Sequence, residues 1–412
     1  MRRQRSVDVL VVGAGPAGLA AAARLATAGA GTVEVLEREA QAGGVPRHCD
    51  HRGFGRWGVR GPQYAERLVE AALGAGAAVR TGVTATGWAG SLAVDTTGPH
   101  GLERITARAV VLATGARERP RTARLVPGSR PAGVFTTGEL QQSVHIHGQE
   151  IGTRAVVVGA EAVSYEALST LRRAGVEVAA LVTREARAQV GRARAVAARL
   201  GPARVPLVTE AVVAELLGRG RLSGVRLRRP DGRERTLDCD TVVFTGDFVP
   251  DHELARRGGV LLDPGTRGPA VDGSFRTGSP GVFAVGSGVH AVEPARVAAE
   301  EGARVADSVR GYLEGARWPS GGVPVVADAP LRWVAPNRLV PDAPGSRFVL
   351  RTAEALVCPL LVVTQDDRRL HRQRVPRRVL PNQGLYLSGG WVGKVDAEGG
   401  AVRVGLFSPS GV

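Results

Sequence analysis

Short apolar runs alternate with stretches of helical spacing through the first three quarters of the chain, a pattern that predicts an α/β protein with parallel strands. Residues 9–12 read as a buried strand, residues 19–28 as an Ala- and Leu-rich helix, and residues 33–36 as a second strand. A helix is expected over residues 61–73, with strands over 77–84 and 106–112. The strand–helix–strand unit recurs at residues 154–158, 162–173 and 176–182, followed by a strand at 242–246 and a helix over 294–308. From about Gly321 the rhythm changes. Runs at 331–339, 347–351, 355–363, 384–395 and 402–407 are short and divided by Pro, Gly, Asn and Asp, which predicts a small all-β segment of sandwich type.

The turn between the first strand and helix is Gly13-Ala14-Gly15-Pro16-Ala17-Gly18, and the second strand delivers Glu37. Strand, three glycines, helix, strand and terminal acid together form the dinucleotide-binding fingerprint. Gly13 makes the turn, Gly15 lets backbone approach a pyrophosphate, and Gly18 lets the helix pack on the strand. The helix start offers unpaired N–H groups to anionic oxygens, and Glu37 is placed to accept hydrogen bonds from a ribose.

Composition narrows the options. At 412 residues the chain is long enough for two or three domains. Its net charge of +15 invites a nucleic-acid reading, but Lys394 is the only lysine and the arginines are spread along the chain. Aromatic residues make up only 4%, and no nucleic-acid-binding pattern appears, so no nucleic-acid partner is expected. One basic cluster, Arg184, Arg187, Arg192, Arg194 and Arg199, falls on what reads as a helix and is either a solvated face or a docking surface for an acidic partner. Cys49, Cys239 and Cys358 form no CxxC, so neither a disulfide framework nor a metal site is expected from them. His145 and His147, read as i and i+2 on a strand, point to opposite faces and make no metal pair. No apolar segment reaches the ~18 residues of a membrane span. A reducing cytoplasm is the expected location.

The order of Gly13 to Gly18, then Gly43-Gly44, then Ala113-Thr114-Gly115 at a strand end resembles the flavoproteins with two dinucleotide-binding domains, the pyridine nucleotide-disulfide oxidoreductase-like family. The likeness continues through a second loop at Gly159-Ala160-Glu161-Ala162-Val163-Ser164, the strand and TG ending at Gly246, and the late motif of residues 277–287. It implies FAD held by Gly13, Gly15, Pro16, Ala17, Gly18, Glu37, Arg38, Gly44, Val45, Val83, Ala113, Thr114, Gly115, Gly286 and Ser287. The implied fold is two Rossmann-like domains, of FAD and NAD(P) type, the second inserted in the first. Boundaries are expected at 1–118 with 247–318 for the FAD domain, 119–246 for the NAD(P)-type domain and 319–412 for a C-terminal β-rich domain. Shorter motifs at 43–49, 61–65, 113–121 and 245–255 resemble FAD subunits of heteromeric opine, hydroxyproline and hydrogen cyanide synthase-type dehydrogenases. That narrower likeness implies a partner: a small iron–sulfur protein or a second dehydrogenase subunit.

Three positions depart from the family pattern. Glu161 replaces the middle glycine of the second loop, where a carboxylate about 4 Å from a pyrophosphate costs on the order of 4 kcal/mol at an effective dielectric near 20. That is roughly a thousandfold in affinity, so NAD(P)H binding is doubtful. Thr183 stands where an NAD-selecting acid is expected, and Arg184 beside it favours NADP without removing the Glu161 problem. Cys49 lacks a nearby second cysteine, which argues against disulfide-reductase chemistry. With His48 and His51 it remains the catalytic candidate, as proton-transferring histidines and a thiolate able to form a flavin adduct. Ser287 replaces the usual Asp at the ribityl chain and keeps a hydroxyl there. His290 and Glu293 are expected either to line the flavin edge or, the stronger expectation, to cap the helix over 294–308.

The expectation is therefore an FAD-dependent oxidoreductase, a dehydrogenase or its flavin subunit, acting on a small amine, amino acid or hydroxy acid and passing electrons to a partner. Two alternatives stand beside it. One is an NAD(P)H-dependent flavin reductase; the other is a non-catalytic electron-relay or scaffold subunit with structural FAD.

Overall fold

The computed structural model describes residues 2–55, 58–200, 204–291, 293–340 and 347–408. The chain divides into two compact units. One comprises Met1–Arg47, Gly53–Ala116 and Val249–Val412; the other comprises His48–Arg52 and Arg117–Phe248.

In the first unit the strand Arg3–Val12 pairs in parallel with Val33–Leu36 on one side and with Gly101–Leu112 on the other. Ala78–Arg80 extends the parallel layer beyond Val33–Leu36, and Val282–Ala284 extends it beyond the last three residues of Gly101–Leu112. The earlier half of Gly101–Leu112 pairs antiparallel with Ala93–Gly98, which pairs with Thr84–Trp88. One long strand thus serves a parallel sheet and a meander, and the expected strand over 77–84 is two strands separated by a turn.

Side chains alternate across the sheet as strand geometry requires. Val9, Val11 and Val111 face the helices Pro16–Thr27 and Ala295–Leu313, while Leu10, Val12 and Val110 face a second apolar layer. The first helix starts with Gly15 as N-cap and Pro16 at its first position, where the missing N–H costs nothing. Its Leu19 and Leu25 are fully buried, each stabilising by about 1.5–3 kcal/mol. The C-terminal segment builds two main sheets over a shared core, with Leu356–Val357 and Arg378–Val379 forming a separate two-stranded pair. The larger runs in the order Arg338–Leu339, Val323–Ala327, Val402–Phe407, Leu360–Gln365, Arg368–Arg374, and the smaller in the order Leu331–Ala335, Phe348–Thr352, Leu385–Leu387. This is the expected small β module, although residues 388–395 add a short 3-10 turn at Val392–Lys394 rather than more strand.

The second unit holds another parallel sheet, in the order Val134–Thr136, Thr241–Phe244, Arg154–Val158, Glu177–Val182, Leu207–Val208. Its helix Ala162–Arg173 follows the second glycine loop, and an antiparallel sheet of Val212–Arg219, Arg221–Arg228 and Glu234–Asp238 lies alongside in the chain order.

Two local expectations are corrected here. His145 closes the helix Thr137–His145, and His147 lies just past it, so neither is on a strand. That helix is set by Thr136, whose hydroxyl accepts the Glu139 amide while the Glu139 carboxylate accepts the Thr136 N–H at 2.7 Å. The basic helix is only Arg192–Leu200, which leaves Arg184 and Arg187 outside it. Arg194 on that helix pairs with Glu166 and lies over the Tyr165 ring, so it is a packed residue of this unit.

Candidate dinucleotide site and the second glycine loop

The parallel strands of the first unit end in register. Val12 stands opposite Leu36 and Leu112, and Leu112 opposite Ala284. The turns that begin at Gly13, Glu37, Ala113 and Val285 therefore emerge side by side from the carboxyl edge of the sheet, where open α/β sheets bind ligands.

The three glycines of the first loop meet different surroundings. Gly13 has φ +108°, and a Cβ there would lie 2.3 Å from the Ala113 carbonyl oxygen. A Cβ on Gly18 would lie 1.9 Å from the Gly13 oxygen. Both are fixed by the protein's own packing. A Cβ on Gly15 would meet nothing within 4 Å, so this position opens away from the protein. Gly43 closes on the loop by donating its N–H to Ala14 O at 2.8 Å, and a Cβ on Gly44 would lie 2.7 Å from Gly15 Cα. Val45 beyond it is exposed.

Glu37 is buried and tied to backbone, its carboxylate accepting the amides of Ala14 at 3.1 Å and Glu39 at 2.9 Å. Two acceptor bonds leave lone pairs on both oxygens for hydroxyl donors. Arg38, largely exposed, pairs with Asp251 at 3.2 Å. Val83 is buried behind Glu37 and donates its N–H to the Glu37 carbonyl at 2.8 Å. Thr114 donates to the Asp251 carbonyl at 2.6 Å, and Gly115, at φ +75°, accepts the Asp251 N–H at 2.9 Å. Asp251 thus anchors two of the turns, a role no spacing in the sequence signals.

Gly286 sits at φ +69°, and its N–H donates to Glu301 at 3.1 Å, with half-buried Ser287 next in the chain. A Cβ on Gly286 would lie 2.7 Å from Ala17 Cβ, and one on Gly302 would lie 2.0 Å from Ala17 O. The first and last helices therefore meet at near-backbone distance beside the loop. His290 and Glu293 do not cap the helix Ala295–Leu313. His290 Nε2 is bonded to Glu301 at 2.9 Å, whereas Glu293 pairs with Arg351 and accepts the Tyr386 hydroxyl at 2.9 Å. A buried guanidinium outcompetes the helix start for the Glu293 carboxylate.

His48, Cys49 and His51 belong to the second unit. His48 and Cys49 are buried, and the thiol donates to Gln141 at 3.3 Å. Burial, reinforced by the negative charges of Glu166 and Glu118, pushes the Cys49 thiol up to about 12. It is a neutral hydrogen-bond donor at physiological pH, which removes the physical basis for a thiolate adduct. His51 Nδ1 lies 3.0 Å from the Arg52 carbonyl and 3.5 Å from Glu166, inside the same hydrogen-bonded loop.

The second glycine loop is organised differently from the first. Gly159 has φ +139°, and a Cβ there would lie 1.9 Å from Thr245 Oγ1. Glu161 begins the helix Ala162–Arg173, and its carboxylate turns onto the neighbouring turn, accepting Thr245 Oγ1 at 3.3 Å. A Cβ on Gly246 would lie 1.8 Å from Glu161 Oε1. A buried acid, Glu118, accepts the amides of Gly246 and Gly138, both at 2.9 Å. Between these acids Arg124 donates to the carbonyls of Thr245 and Gly246. Burial raises Glu118 to about 7 against the pull of those hydrogen bonds and of Arg124, and burial raises Glu161 as well.

The pyridine nucleotide-disulphide oxidoreductase family model matches residues 7–302, which takes in both glycine loops and the late strand-end motif. The chain belongs to that family. The alpha subunit of sarcosine oxidase from Corynebacterium sp. (strain U-96) is 31% identical over 268 residues, 59% of this chain and 26% of that protein. An opine oxidase subunit from Agrobacterium tumefaciens (strain Ach5) is 35% identical over 182 residues, 41% of this chain and 35% of that protein. The chain thus spans about a quarter to a third of these curated relatives. In fold it is similar to the thioredoxin reductase of T. acidophilum, with a TM-score of 0.64 and 23% identity over 75% of this chain and 99% of that one. Among the described residues no helix is long and apolar enough to cross a membrane.

Proposed function

We propose that this chain is the flavin-binding subunit of an oxidoreductase that acts on a small amine, amino acid or hydroxy acid, with FAD in the first glycine loop. The observation that carries the reading is the contrast between Gly15, whose missing Cβ leaves open space, and Gly13 and Gly18, whose missing Cβ atoms are filled by protein. A cradle of this form fits a diphosphate at the helix start. Gly13, Gly15, Pro16, Ala17 and Gly18 would hold the diphosphate, Glu37 the adenosine ribose, and Arg38, Gly44, Val45 and Val83 the surroundings of the adenosine half. Ala113, Thr114, Gly115, Gly286 and Ser287 would support the riboflavin half. When bound, FAD supplies two-electron acceptor chemistry. The chain's own residues orient it: Glu37 is held by two amides, Thr114 by Asp251, and Gly286 by Glu301.

The names of the relatives, subunits of sarcosine and opine oxidases, support an amine or amino-acid donor and a partner subunit that takes part in electron transfer. Glu161 supports the exclusion of NAD(P)H as electron donor, because its half-buried carboxylate occupies the second loop in place of the open glycine. We assign no thiolate role to Cys49; His48 and His51, on the same loop, are the remaining candidates there for proton transfer.

The test is to purify the chain, record its visible spectrum with and without added FAD, and mix it anaerobically with NADH and NADPH. A flavin spectrum left oxidised by both coenzymes, and bleached by an amine or amino acid once the partner is co-expressed, is the expected result. Rapid bleaching by NADPH would replace this reading with that of an NAD(P)H-dependent flavin reductase.

A further inference from the structure

The helix Ala295–Leu313 and the strand Phe348–Thr352 contribute walls to a cavity of about 410 Å³ in the first unit, lined by Arg304, Arg347, Val349 and Tyr386 among others. It is large enough for a small organic molecule. A recess of about 20 Å³ adjoins it, sharing Glu301, Arg304 and Arg347 and lined also by His290. None of these residues belongs to the cradle of the first glycine loop except Glu301, which supports Gly286 from behind.

Among the described residues the charges around the cavity do not cancel. Arg304 lies 5.3 Å from the centroid of the Phe275 ring, and Arg347 lies 3.7 Å from that of Tyr386. Aromatic faces hold a guanidinium in place without neutralising it. Among the described residues neither arginine has a carboxylate partner. The acids nearby are already engaged: Glu301 with His290 and the Gly286 amide, Glu300 with Arg296, and Glu293 with Arg351 and Tyr386.

His290 adds an independent observation. It is 3% exposed, its Nε2 is bonded to Glu301, and its Nδ1 has no hydrogen-bond partner among the described residues. Buried polar atoms are nearly always paired, so one left open at the wall of a recess points to a group that enters it. Because Nε2–H is given to Glu301, Nδ1 donates to an anionic oxygen only in the imidazolium form, which burial opposes and the Glu301 carboxylate favours. An anion held by the two arginines then meets a third donor in that recess.

We propose that this cavity binds a small organic anion carrying two or more carboxylate or phosphate groups, held by Arg304 and Arg347, with His290 at its base. Both arginines lie outside residues 7–302, and the site is independent of which donor the flavin site oxidises.

Calorimetric titration of the full chain, saturated with FAD at low ionic strength, tests it with two probes, citrate and pyrophosphate. At least one probe is expected to bind at one site per chain. Binding of citrate alone assigns carboxylates, and binding of pyrophosphate alone assigns phosphate esters. Replacing both arginines (R304Q with R347Q) is expected to weaken binding roughly tenfold or more per guanidinium, the weight of one charge-assisted hydrogen bond. Arg347→Lys, which keeps the charge, should retain part of the affinity. If the double variant loses its native circular dichroism, Arg304→Gln alone decides by the same tenfold criterion. Absence of binding by both probes overturns the proposal, and so does undiminished binding in a folded arginine variant, since that binding would belong to another basic surface.

Discussion

Oε1 of Glu161 sits where a Cβ on Gly246 would come within 1.8 Å of it, so the acid of the second glycine loop is seated on the glycine of the neighbouring strand-end turn. The carboxylate is held by Thr245 and lies in the field of Arg124. In the first loop the equivalent position, Gly15, has no side chain, and a Cβ there would meet nothing within 4 Å.

Glu161→Gly should therefore open the second loop. A charge about 4 Å from a diphosphate costs on the order of 4 kcal/mol, and the raised protonation of Glu161 makes the recoverable part smaller. The variant is expected to bind NADPH at least tenfold more tightly than the parent chain in a fluorescence titration. Equal affinities would mean that the acid does not set nucleotide binding there.

Glu118 makes stability depend on pH. Its folded-state value, raised to about 7, lies above that of an exposed glutamate, so the folded chain binds the extra proton. Its contribution is fully present below about pH 4.5 and is lost as pH rises through about 7, amounting to roughly 3 kcal/mol at most. Denaturant unfolding of parent and Glu118→Gln between pH 5 and 8 checks this. The parent should lose more stability than the variant over that interval, and parallel curves would refute the assignment.

Alkylation should separate the cysteines. Cys49 and Cys239 are both pushed up to about 12 by burial, leaving roughly one thiol in ten thousand ionised at pH 8. Iodoacetamide followed by peptide mass spectrometry should modify partly exposed Cys358 in the native chain, and the other two only after unfolding. Early labelling of Cys49 would restore it as a nucleophile.

The parallel layers were legible because their strands are continuous apolar runs ending in glycine turns, which leave both a periodicity and a boundary in the chain. The antiparallel strands Thr84–Trp88, Ala93–Gly98 and Val212–Arg219 were not, since each mixes small, polar and exposed residues and gains its identity only from its partner. The helix Thr137–His145 did carry a local sign, the Thr136–Glu139 capping pair, overlooked because its His and Gln content hid the helical period. In the candidate site, glycine positions could be read from conformational need. Asp251 and Glu301 could not, because each supports a turn far away in sequence and no spacing rule connects them.

The most direct measurement compares Gly15→Ala with Gly18→Ala for thermal stability and FAD affinity. Gly15 has φ −82° and open space at its missing Cβ, so alanine there should cost about 1 kcal/mol or less in stability, from the weakened helix start. It should nevertheless weaken FAD at least tenfold by blocking the diphosphate's approach to the backbone. Gly18→Ala, whose Cβ would lie 1.9 Å from the Gly13 carbonyl, should destabilise the fold itself. A stable Gly15→Ala chain that still binds FAD as tightly as the parent would contradict the account.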